Sequence, residues 1–401
     1  MDRLKLSIFS YFVVIFGLFL YSFTQIDLSL TFSRVPFLRN LITSFQYIGY
    51  FNRPLSSYLY VGLLISLFVF YFYFIKNAIG KKLSKKSVWK LIIMMSTILV
   101  FSYNAFSYDI FNYIFDAKIV TYYQQNPYLH KALDFPGDPM LSFMRWTHRV
   151  YPYGPVWLGL TIPFSYLGFN FFLPTFFLFK ILIGTSFIGS VYFIGKIFQK
   201  ISPEKELFGL IFFGLNPLII IESLVSGHLD IVMVFFLLWA FYNLVNKKYL
   251  FALILLLISI GIKFATIFLI PVFVLVFALQ STKKSIDWKF IFQLMTLLGI
   301  VTVFIASVYS GNFQPWYLIL PLSVAVFISK SYYIFIPTII ISFFALLNYV
   351  PYLYLGNWDK PVPQILLTVN ISSYVISGII IGVYYLFHKY KVIFNKNDKD
   401  K

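Results

Sequence analysis

Runs of apolar residues recur along this chain at lengths that only a membrane can absorb. They lie near residues 7–24, 57–76, 91–106, 171–195, 206–222, 229–245, 249–261, 264–280, 290–309, 316–329, 332–349 and 364–387. Each is long enough, or nearly so, to cross a hydrocarbon layer about 30 Å thick as a helix. With 60% of its 401 residues hydrophobic and 11% charged, the chain carries more apolar surface than a soluble core of its length could bury. The sequence predicts an all-α polytopic membrane protein of about twelve transmembrane helices. In a bilayer such spans pack side by side, so residues 1–401 are expected to form a single helical membrane domain.

The cations orient these spans. Lys76, Lys81, Lys82, Lys85, Lys86 and Lys90 crowd the junction between the second and third runs, which the positive-inside rule assigns to the cytoplasm. Every second junction after it is also basic: Lys196, Lys200 and Lys205; Lys247 and Lys248; Lys283, Lys284 and Lys289; Lys330; and a basic cytoplasmic tail over 389–401. This parity holds if the short run 155–168, interrupted by Pro163, lies in the outer interface instead of crossing. Both termini then lie in the cytoplasm of a plasma-membrane protein. The first run follows Arg3 and Lys5 like a signal peptide, but no small-residue cleavage site follows, so it reads as a retained span. The net charge of +18 belongs to these orienting loops and gives no reason to expect nucleic acid. The absence of cysteine removes disulfides and thiol chemistry.

On this map the acids lie at span ends or in loops. Asp27, Asp109, Asp116, Asp134, Asp138, Glu222, Asp230 and Asp359 fall on or near the outer side, and the other acids fall inside. Ion-coupled transporters commonly carry ionisable groups near the midplane, in repeated halves, and neither feature is seen. The longest loop, 107–154, is outside and too aromatic for disorder, which points to chemistry at the outer surface. From Tyr249 to Leu279 the chain is apolar apart from Lys263, too long for one crossing and short for two. It reads as a shallow hairpin with Lys263 at its tip, and a lysine held there requires an anionic partner.

The segment Ser107-Tyr-Asp-Ile-Phe-Asn-Tyr-Ile-Phe-Asp116, then Asn126-Pro-Tyr128, then Tyr151-Pro-Tyr-Gly-Pro155, resembles the first outer loop of the GT-C superfamily of membrane glycosyltransferases. The nearest resemblance is to the polyprenyl-phosphate-mannose-dependent mannosyltransferases. Ser226-Gly-His-Leu-Asp230, the Lys263 hairpin and Gln314-Pro-Trp-Tyr317 look like later landmarks of that family in the same order. Two features depart from it. The loop carboxylate follows the third span, where many members present it after the first, and the Gly-His-Leu-Asp segment lacks the Asn that often precedes the Asp.

The resemblance implies an enzyme that moves a hexose, mannose in the nearest relatives, from a polyprenyl-phosphate donor to an outer glycolipid or polysaccharide acceptor by inverting displacement. Asp109 matches the family's base, and Asp116, two helical turns on, would assist it or orient the acceptor. Lys263, Arg145 and Arg149 are the candidates for stabilising the leaving phosphate. His228 and Asp230 would stand at the rim of the same cavity, with Tyr128, Tyr153, Gln314, Trp316 and Tyr317 around it. The outer juxtamembrane helices fall within 107–170. No metal cage or nucleotide motif is seen, and no cofactor is expected. A transporter or flippase of a lipid-linked saccharide is the alternative reading.

Overall fold

The computed structural model describes residues 3–80 and 82–397. Asp2, Lys81, Asp398 and Asp400, and with the last two the far end of the 389–401 tail, lie outside them. Every regular element among the described residues is helical, as expected of a chain whose backbone must satisfy its own hydrogen bonds within lipid. The α-helices are α1 (Arg3–Ser22), α2 (Pro36–Gln46), α3 (Arg53–Ile79), α4 (Lys85–Leu99), α5 (Asp109–Thr121), α6 (Pro155–Leu167), α7 (Phe172–Ile201), α8 (Glu206–Gly214) and α9 (Pro217–Ile220). They continue with α10 (Asp230–Val245), α11 (Tyr249–Ile262), α12 (Ile270–Ser281), α13 (Trp288–Ser310), α14 (Ile319–Ala325), α15 (Tyr332–Leu347), α16 (Val350–Leu355) and α17 (Val362–Asn397).

Among the described residues, seven helical segments are long and apolar enough to cross a membrane, and the bent pair Pro203–Gly214 and Pro217–Val225 makes an eighth if counted as one span. Of the twelve or so expected runs, these are the ones that reach full crossing length; the others form shorter apolar helices. The runs at 91–106, 229–245, 249–261 and 316–329 do form helices, but α4 has 15 residues, α10 has 16, α11 has 14 and α14 has 7 between short 3-10 turns. A 14-residue helix rises only about 21 Å, well short of the hydrocarbon thickness. The 155–168 run forms α6, 13 residues long, packed on α5, α7 and α11.

Two interruptions shape the interior. The first follows from Asn216-Pro217: proline has no N–H to continue the helix and biases the residue before it toward extended backbone. Asn216 is extended and its side chain accepts the N–H of Leu218, so the chain bends by 50° there. The second arm ends in a π-helical turn, Ile221–Val225, a wide turn often found at functional sites. The second interruption falls at Lys263, whose extended backbone (φ −148°, ψ 129°) separates α11 from the 3-10 turn Phe264–Leu269. The hairpin tip therefore lies where the apolar run is broken by its single charge. Helices α7 and α10 pack together at the centre of the bundle, whereas α17 lies at its periphery with little of its span covered.

Candidate active site

Asp109 is the first residue of α5, at the end of the helix where negative charge is favoured. The turn before it is pinned: Asn104 donates to the Ser107 carbonyl at 2.6 Å, and the Asp109 N–H donates to Ser107 Oγ at 3.1 Å. The loop that follows is drawn back over α5. Tyr151 N–H bonds the Pro127 carbonyl at 2.9 Å, and Tyr128 O–H bonds the Tyr153 carbonyl at 3.1 Å, which joins the Asn-Pro-Tyr and Tyr-Pro-Tyr-Gly segments. Gly154 then lies so close to α11 that a Cβ there would stand 2.0 Å from the Gly261 carbonyl oxygen. Only glycine permits that approach, and its N–H bonds the Ile262 carbonyl at 3.2 Å. The loop carrying Tyr153 is thus fixed beside Lys263.

The later landmarks close a ring on Asp109. Gly227, in the left-handed region at φ +77°, turns the chain after the π-helical turn so that His228 points back toward α5. His228 Nε2 stands 3.1 Å from Ser107 Oγ and 3.8 Å from Asp109 Oδ2. Its ring stacks on Trp316 with centroids 4.1 Å apart. Tyr317 packs edge-on against Trp316 and lies under the Lys263 ammonium, 5.3 Å from its ring centre. Lys263 Nζ binds Asp230 Oδ1 at 2.7 Å, so the anionic partner that a lysine at this tip requires is Asp230. Tyr113 completes the circuit: its O–H reaches Asp109 Oδ2 at 3.5 Å, it feels the Asp230 charge, and its ring meets Tyr153 edge-on at 5.2 Å. Burial, with Asp109 nearby, holds the Tyr113 and Tyr153 hydroxyls well above their ordinary range, so both remain donors.

The remaining candidates are distributed less evenly. The Arg149 guanidinium is 4.0 Å from Asp109 Oδ1, lies over the Trp146 ring, and keeps a buried Nε with no hydrogen-bond partner among the described residues. Asp116 shares the buried face of α5 with Asp109. Burial pushes its carboxyl up to about 8, a rise that the Arg149 charge only partly opposes. Lys118 pairs with Asp138, so Asp116 is not drawn into a surface pair with it. Arg145 stacks over Tyr108, whose O–H binds Asp27, on the flank of the ring. Gln314 is half-buried and opens the turn that carries Trp316 and Tyr317, while Tyr128 is exposed. His228 and Asp230 are buried, at 0% and 4% exposure. Among the described residues no three His, Cys, Asp or Glu side chains are grouped so as to hold a metal ion.

Three participants were not singled out from the sequence. Glu222, fully buried on the π-helical turn, contacts His228 Nδ1 at 3.1 Å and accepts the Tyr349 O–H at 2.9 Å. Lys180, buried in the first third of α7, donates to the Leu224 and Val225 carbonyls and to Ser102 Oγ, and so caps the arm that carries Glu222. The signal for both was available: an ionisable residue within an apolar run is a functional candidate by default. The Tyr349 hydroxyl had no such signal among the many tyrosines. The family model described as alpha-(1->6)-mannopyranosyltransferase, N-terminal domain, matches residues 14–279, about two thirds of the chain. That stretch includes every landmark of the ring except Trp316 and Tyr317. No curated protein and no solved structure matches the chain.

Proposed function

Since the chain belongs to the alpha-(1->6)-mannopyranosyltransferase family, and is therefore a multi-pass membrane glycosyltransferase that transfers mannose, we propose that its donor is a polyprenyl-phosphate mannose and its acceptor a glycolipid or growing polysaccharide. The observation that carries this reading is the closed ring of Asp109, Tyr113, Asp230, Lys263, Tyr317, Trp316 and His228, which sets a carboxylate and a cation around one site. Asp109 takes the proton of the acceptor hydroxyl as that oxygen attacks the anomeric carbon. Lys263 and Arg149 face the lipid phosphate as the glycosidic C–O bond breaks and negative charge gathers on it. Arg145 lies farther out and guides the anionic headgroup. Asp116, neutral at physiological pH, donates a hydrogen bond to the acceptor near Asp109 instead of serving as a second base. Tyr153, Tyr128 and Gln314 line the acceptor side. A single-step displacement inverts the anomeric carbon, so the α product for which the family is named requires a β-linked donor.

In this reading the Asp109 end faces outward, residues 107–170 form the catalytic loop, and both termini lie in the cytoplasm of one helical domain. The alternating basic junctions support it. The donor arrives through the membrane, which agrees with a site set at the ends of apolar helices. Membership of an enzyme family favours transfer over movement of a lipid-linked saccharide. The test is to supply the purified protein in lipid with a panel of polyprenyl-phosphate sugars and membrane glycolipids. The expected product is one mannose longer. Transfer from a nucleotide sugar, or none from any prenyl donor, would overturn the donor assignment.

A further inference from the structure

Behind the Asp109 carboxylate lies a line of buried polar groups to which the reaction above gives no task. Glu222 and His228 are both fully buried. Glu222 Oε1 accepts the Tyr349 hydroxyl at 2.9 Å, and Oε2 lies 3.1 Å from His228 Nδ1. The same Nδ1 is 3.1 Å from the Glu222 backbone carbonyl oxygen. The backbone carbonyl can only accept, so Nδ1 carries its hydrogen toward it, and Nε2 is left as the ring nitrogen open to a proton; Glu222 Oε2 lies beside Nδ1 with no hydrogen-bond partner among the described residues. Nε2 faces Ser107 Oγ at 3.1 Å and Asp109 Oδ2 at 3.8 Å. Ser107 Oγ already accepts the Asp109 N–H, so its own hydrogen is free to point at Nε2. The stacked Trp316 ring keeps the imidazole from turning away.

We propose that His228, held by Glu222 and Tyr349, receives the proton that Asp109 takes from the acceptor and so restores the base for the next transfer. The inference rests on reading Asp109 as that base. The acceptor O–H bond breaks as its oxygen bonds the anomeric carbon, and the glycosidic electron pair leaves on the lipid phosphate. The proton moves first to Asp109 Oδ2 and then to His228 Nε2, giving an imidazolium opposite the Glu222 carboxylate, and it passes to water once the products depart. Ser107 Oγ, 3.1 Å from Nε2, stands beside the 3.8 Å gap between Nε2 and Asp109 Oδ2. Glu222 is a positioning residue: it touches neither sugar nor phosphate, its backbone carbonyl fixes the imidazole tautomer, and its side chain lies beside the ring to balance its charge.

The charged and titratable groups that face this line are few. On α5, Asp109 and Tyr113 lie on the Nε2 side. Arg149 and Tyr153 reach Asp109 from the loop. Tyr60 on α3 and Tyr349 face Glu222. Lys180 on α7 is occupied by the Leu224 and Val225 carbonyls, and Lys263 by Asp230.

The experiment compares Glu222→Gln, Tyr349→Phe and Asp109→Asn in the full-length protein in lipid. Glu222→Gln should lower kcat about 10- to 100-fold with the donor KM little changed. It should also move the acid limb of the pH–rate profile to lower pH, because the imidazolium loses its carboxylate. Tyr349→Phe keeps that carboxylate but removes a donor from it, so its limb should move the opposite way. That variant reads the same wiring if Glu222→Gln fails to insert. A fall in kcat with an unmoved acid limb in both variants would reduce Glu222 to packing and overturn the inference, as would wild-type behaviour in both. An active Asp109→Asn enzyme would instead overturn the reading of Asp109 as the base.

Discussion

The two ends of the helical bundle treat charge in opposite ways. At the Asp109 end, Asp27, Asp109, Asp116, Asp138, Glu222 and Asp230 are all buried, and all but Asp116 contact a tyrosine, histidine, lysine or arginine. At the Lys85 end, Glu206 pairs with Lys85 at 2.5 Å and Glu204 with Lys205 at 3.9 Å, with both lysines open to their surroundings. Burying a carboxylate is costly unless partners replace its water, whereas an exposed ion pair contributes only about 0–1 kcal/mol. The difference teaches where selection has worked against stability. Charges at one end stay in partly exposed pairs, while acids at the other are held in an environment that resists them.

That contrast can be broken most sharply at Asp109. Asp109→Asn should cut transfer by about 10²- to 10⁴-fold while leaving donor-lipid binding intact, measured by product formation beside a lipid-binding assay. Next in size, Lys263→Ala should lower kcat by about 10²-fold through lost stabilisation of the leaving phosphate. It should also lower Tm by more than the double change of Lys263 and Asp230 to alanine, since the single change strands a buried carboxylate. Both are read by turnover and by melting in detergent.

Asp116 sharpens the comparison through pH. Its folded carboxyl titrates at about 8 against an ordinary 3.8, so the folded state holds the proton more tightly than the unfolded chain does. The stability linked to that proton is complete below the ordinary range and is lost as pH rises toward and through about 8. Asp116→Asn, neutral throughout, should therefore gain in Tm relative to wild type as pH is raised from 5 to 8. The smallest effect belongs to the other end. Lys85→Ala should change stability by less than about 1 kcal/mol and leave transfer within about twofold of wild type.

How much of this was legible in the sequence differs from element to element. The helical class and the break at Lys263 could be read because a lone charge in an apolar run has few ways to be accommodated. The ring around Asp109 was visible only as separate landmarks, since Gly154 against Gly261 and His228 against Ser107 are contacts between distant segments. The bounds of α10 and α11 were read to within a residue, because polar Asn246-Lys247-Lys248 and the lone Lys263 mark their ends. That such short helices fall short of a full crossing is a matter of length, which apolar composition does not register. Glu222 was placed near the end of a span, but its pairing with His228 depends on the bend at Asn216-Pro217, whose direction no local pattern encodes.

The ion pair between Asp230 and Lys263 carries a kinetic consequence. If the proposed prenyl phosphate engages this ammonium, it does so in competition with a carboxylate permanently tethered beside it. On that reading donor affinity is held down, and the spent carrier meets a resident anion ready to take back its seat. A site built this way would trade tight capture for rapid release.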